Sequence, residues 1–115
     1  MRVIVQNVAE FIGNLESESP DRVYGKTVYV SVTRTPLDGN KRDAAKWSVV
    51  FQASAVVDLP DGGQYILEVG EDCGTDYTDS TDEPAGTEQA NELKERVRQY
   101  SRANGLTVRP GVVDM

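Results

Sequence analysis

Two alternations of apolar and polar residues meet at Pro60-Asp61-Gly62-Gly63, and this tight-turn sequence constrains the fold more than any other feature of the chain. Before it, Trp47, Val49, Phe51, Ala53, Ala55, Val57 and Leu59 share one face of a strand. After it, Tyr65, Leu67 and Val69 return along a second strand. The other face of the first run holds Ser48, Gln52, Ser54 and Asp58, but also Val50 and Val56. Apolar residues on both faces predict a strand that is central or partly covered on both sides. Thr27 to Thr35 also alternates, with Val28, Val30 and Val32 on one face, and stops at Pro36. The polar stretch from Leu37 to Asp43, with its Asp38-Gly39 turn signal, reads as the loop between these strands.

Helical spacing frames the hairpin. Ile4, Val8, Phe11, Ile12 and Leu15 predict an amphipathic helix that ends in Ser17-Glu18-Ser19-Pro20, although the alternation of Val3 and Val5 also fits a short first strand. Thr87 reads as the N-cap of a second helix whose buried stripe is Ala90, Leu93, Val97 and Tyr100, and Asn104-Gly105 supplies its stop. Leu106 to Pro110 reads as a short edge strand, because proline breaks a central ladder. The expectation is a single α+β domain over residues 1–115, a three-stranded antiparallel sheet in αβββαβ order. Residues 71–86 offer little to bury and are expected to form an exposed acidic loop.

Some chemistries are excluded by composition. The chain of 115 residues has no histidine, which removes the commonest general base and metal ligand, and one cysteine, which removes intramolecular disulfides and multi-cysteine metal sites. Cys73 lies among Glu71, Asp72 and Asp76, whose negative field disfavours the thiolate. No apolar run reaches the length of a membrane span and the N-terminus lacks a signal-peptide pattern, so a cytoplasmic location is expected.

The net charge of −7 is unevenly distributed. Residues 47–93 hold eleven acids and no base; residues 1–46 hold seven bases and six acids, and residues 94–115 five bases and two acids. A chain so charged repels nucleic-acid backbone and anionic membrane alike. The acidic segment is expected instead to meet a basic protein surface through Glu71, Asp72, Asp76, Asp79, Asp82 and Glu83, with Tyr77 as an aromatic anchor. Asp76, Asp79 and Asp82 are three residues apart, unlike the alternate oxygens of an EF-hand loop, and no metal or cofactor is expected. Lys94, Arg98 and Arg102 recur every four residues, forming a basic stripe that snorkels over the core or meets the acidic loop of a second copy.

The order helix, three strands, helix resembles that of the double-stranded-RNA-binding domain. The lysine cluster of that family is replaced here by Thr87-Glu88-Gln89-Ala90-Asn91-Glu92, which reverses the charge where phosphate would be held. With the last strand included, Pro60-Asp61 and Glu68-Val69-Gly70 resemble part of the PD-(D/E)xK nuclease motif, with Gly70 at the lysine position. The favoured expectation is a non-enzymatic acidic protein that inhibits or regulates a nucleic-acid-binding partner, a mechanism similar to that of DNA-mimic inhibitors. One alternative is a metal-dependent nuclease-like enzyme using Asp58, Asp61 and Glu68; another is an acidic structural or assembly subunit.

Overall fold

In the computed structural model, residues 1–37, 46–77 and 85–111 are described. Their strands are β1 (Arg2–Val5), β2 (Thr27–Pro36), β3 (Lys46–Asp58), β4 (Gln64–Tyr77) and β5 (Thr107–Pro110), and their helices α1 (Val8–Glu18) and α2 (Ala85–Ala103). The strands make one sheet in the order β1-β4-β3-β2-β5. Its three long inner strands are antiparallel, while β1 and β5 join the two flanks in parallel with β4 and β2.

The hairpin forms where the turn sequence places it. Leu59 donates to Gly63 O and Gly62 donates to Leu59 O; Asp61 Oδ1 accepts from Gly63 N, and Gly62 takes a φ of 93° that favours glycine. The alternation of β3 then sends Val49, Phe51, Ala53, Ala55 and Val57 to one side. There they pack with Tyr65, Leu67 and Val69 of β4 and Val28 and Val30 of β2. Val8, Phe11 and Leu15 of α1 and Ala90, Leu93 and Val97 of α2 close this core from above. Gly86 allows α2 to start close to the sheet, since a Cβ there would lie 2.8 Å from Val49 Cγ2.

The expected three-stranded antiparallel sheet in αβββαβ order is overturned. The sheet has five strands, is mixed, and follows the order βαβββαβ. Ile4 fits the helical stripe by spacing but belongs to β1, which pairs with Ile66 to Val69. The helix begins only after Asn7, whose side chain accepts from Glu10 N. The proposed C-terminal edge strand is present, at the sheet edge beside β2. Thr87 is not the start of α2; it lies inside the first turn. β3 is central in the sheet, but its second face has no cover within the described chain. No described helix is long and apolar enough to cross a membrane.

Candidate functional site: an acidic groove beside the second helix

Much of the expected acidic loop is strand. Residues 71–77 continue β4 alongside β3, which leaves only Asp79, Asp82 and Glu83 of the expected partner-binding set outside the described residues. A bulge lets the strand continue: Val50 pairs with Asp72 and Val49 with Gly74, so Cys73 is the extra residue and Gly74 takes a φ of 94°.

Within β4 these acidic side chains serve the fold. Glu71 Oε2 accepts from Val8 N at 2.9 Å, satisfying a backbone donor in the first turn of α1 with a carboxylate from another strand. Asp72 Oδ1 accepts from Gly74 N at 2.9 Å and braces the bulge. Asp76 is only 6% exposed. Its Oδ2 accepts from the Thr87 hydroxyl and pairs with Arg34 Nη2 at 3.2 Å, and its Oδ1 accepts from Tyr77 N at 3.1 Å. The Arg34 guanidinium also lies 5.1 Å from the Trp47 ring centroid. Tyr77 is 40% exposed at the end of the strand.

Asp76 thereby joins β4 to the first turn of α2, where a groove opens. Its volume is about 630 Å³, and its described lining is Asp76, Thr87, Glu88, Asn91, Glu92 and Glu95. Glu88, Glu92 and Glu95 follow at steps of four and three, so they share the face of α2 opposite the buried Ala90, Leu93 and Val97. Of the three, Glu88 lies in the first turn of α2, where the positive end of the helix dipole favours a carboxylate. The sequence reading counts Glu88 and Glu92 among the eleven acids of residues 47–93 and in the segment that reverses the charge of the RNA-binding lysine cluster, and it gives Glu95 no role. Their shared spacing, on the face away from the apolar stripe, was the available signal.

Farther along the same helix the charge reverses. Arg98 and Arg102, with Leu106 and Val108, line a smaller depression of about 260 Å³, while Lys94 of the expected stripe is half-buried. Cys73 is buried, and its Sγ lies 3.5 Å from Glu71 O. Burial is the main cause pushing its thiol above the ordinary value, and the charges of Glu71 and Asp72 add to the rise.

The carboxylates named for the nuclease alternative do not converge. Asp58 Oδ1 accepts from Gln64 Nε2 at 2.6 Å, Asp61 caps the hairpin turn, and Glu68 pairs with Arg2 at 2.7 Å. Glu68 pairs in register with Ser54, four residues before Asp58, so it stands roughly 13 Å from Asp58 along the sheet. Among the described residues, no three histidine, cysteine, aspartate or glutamate side chains are placed to hold a metal ion together. Comparison with protein-family models, curated proteins and solved structures finds no match for the chain.

Proposed function

We propose that the chain is an interaction protein whose acidic groove binds a basic surface of a partner protein, competing with nucleic-acid phosphate for that surface. One observation carries this reading: Asp76, Glu88, Glu92 and Glu95 line a single groove whose described lining includes no base. Glu88 and Glu95 lie seven residue steps apart along the helix, or about 10 Å, and one DNA strand presents about three phosphates in that length. The groove therefore offers a similar density of negative charge on a rigid element, and a rigid helix loses little entropy when a cationic surface docks.

The test is fluorescence anisotropy with a labelled nona-arginine peptide as probe. Affinity is expected to fall about tenfold or more from roughly 50 mM to roughly 300 mM salt, because such contacts are screened. Glu88→Gln, Glu92→Gln and Glu95→Gln together should weaken binding by about another tenfold at low salt. A charge-matched control, Glu10→Gln with Glu16→Gln and Asp61→Asn, should retain most of the affinity. Equal losses in the two triple variants would show that net charge, and not the groove, binds the probe.

A further inference from the structure

Among the described residues, no helix covers the face of the sheet turned away from α1 and α2. On it Ile4 is 71% exposed, Tyr29 42% and Ile66 38%, while Val50 and Val56 of the central strand are half-buried. Apolar residues at both Val50 and Val56 are the pattern of a covered strand, yet no described part of this chain covers them.

One row of side chains crosses all five strands on this face: Ile4, Glu68, Ser54, Tyr29 and Arg109. A carboxylate lies toward one end, an arginine stands at the other, and a small serine sits in the middle. A two-fold axis running along β3 would stack Ser54 on the second copy's Ser54 and lay β5 over the second copy's β1. It would also bring Arg109 beside the second copy's Glu68, one strand spacing or about 4.8 Å inward. Both groups suit such a contact. Arg2 donates twice to Glu68, both times to Oε2, so Oε1 is open to a second cation. Arg109 has no ion partner among the described residues.

The face is also large enough. Strands of 4, 10, 13, 14 and 4 residues, at about 3.3 Å per residue and 4.8 Å between strands, cover roughly 700 Å², against about 800 Å² per partner in a standard interface. Ser31, Ser54 and Gly70 are small and allow two sheets to approach to the usual face-to-face distance of about 10 Å.

We propose that a second copy of this chain covers the open face, forming a two-fold dimer in which Arg109 of each copy pairs with Glu68 of the other. The acidic groove lies at α2, on the opposite side of the sheet, so the dimer stands or falls independently of what that groove binds.

Sedimentation velocity of the full chain across a concentration series tests the idea. A monomer–dimer equilibrium is expected. Val56→Asp should weaken it at least about tenfold while far-UV circular dichroism and the melting temperature of the dilute protein stay close to wild type. Arg109→Glu alone and Glu68→Arg alone should each weaken self-association, since each homodimer then opposes like charges twice. An equimolar mixture of the two should recover dimer, because both contacts become opposite in sign. A monomer at every concentration would overturn the proposal. So would a dimer that ignores these substitutions but dissociates with Arg98→Glu and Arg102→Glu, because the helix stripe would then be the interface. Failure of the mixture to recover dimer, with both variants folded, would overturn the Arg109–Glu68 pairing.

Discussion

β3 serves two surfaces with one stretch of chain, and they differ sharply. Its odd-numbered residues from Val49 to Val57 lie under the helices and are almost fully buried; its even-numbered residues, Val50, Gln52, Ser54 and Val56, face outward and are half-buried. Strand alternation makes this division unavoidable, because each residue step reverses the side chain. The covered face supplies the hydrophobic stabilisation of the fold, and the open face is available for association. Adjacent residues should therefore respond very differently to truncation.

Phe51→Ala tests the covered face. Phe51 is fully buried, and its loss should cost about 3–5 kcal/mol in chemical denaturation. Ser54→Ala, three residues away on the open face, should change stability by less than about 0.5 kcal/mol. Comparable losses would mean that the open face is packed in the isolated chain, and the contrast between faces would fail.

This division was largely legible in the sequence. The alternation around Phe51 and the Pro60-Asp61-Gly62-Gly63 turn specify the hairpin and its core face by local chemistry alone. β1 was harder to recognise because Ile4 satisfies the helical spacing to Val8 while the competing strand signal rests only on the alternation of Val3 and Val5. Only pairing with β4, more than sixty residues away, settles it. The acidic site was legible only in part. Glu71, Asp72 and Asp76 look free in a list of residues, yet a backbone donor of α1, a bulge and an arginine engage them. Composition records charge without recording whether a fold already uses it.

Asp76 sharpens the comparison from the side of the groove. It is buried and joined to Arg34, Thr87 and the Tyr77 backbone, so Asp76→Asn keeps the shape but removes the charge from its bonds to Arg34 and Thr87. Hydrogen bonds to charged groups contribute about 1.5–3 kcal/mol, and a loss near 2 kcal/mol is expected. Glu92→Gln in the same groove is exposed and should change stability by less than about 0.5 kcal/mol while still weakening the cationic probe. If Asp76→Asn proved as mild as Glu92→Gln, the bonds of Asp76 to Arg34 and Thr87 would not hold β4 to α2.

A change of the opposite sign is expected at Tyr100, where the covered side holds a polar atom that no described residue satisfies. The Tyr100 hydroxyl is buried without a hydrogen-bond partner among the described residues, so Tyr100→Phe should be neutral or stabilise the fold by up to about 1 kcal/mol near neutral pH. Burial, and then the charge of Glu16, push the phenol above its ordinary value. The folded chain therefore keeps this proton after the unfolded chain begins to lose it. Stability tied to Tyr100 is complete below the unfolded value near pH 10 and declines as pH rises from there toward the folded one. The phenylalanine variant escapes that decline, so its advantage should widen from about pH 9 to about pH 11 in denaturant titrations. Tyr65, raised by burial and then by Glu18, adds a decline of the same sign that both proteins share. Parallel stability curves for wild type and Tyr100→Phe over that range would show that the hydroxyl is solvated, and that the helix-covered side is less dry at its α1–α2 margin than at Phe51.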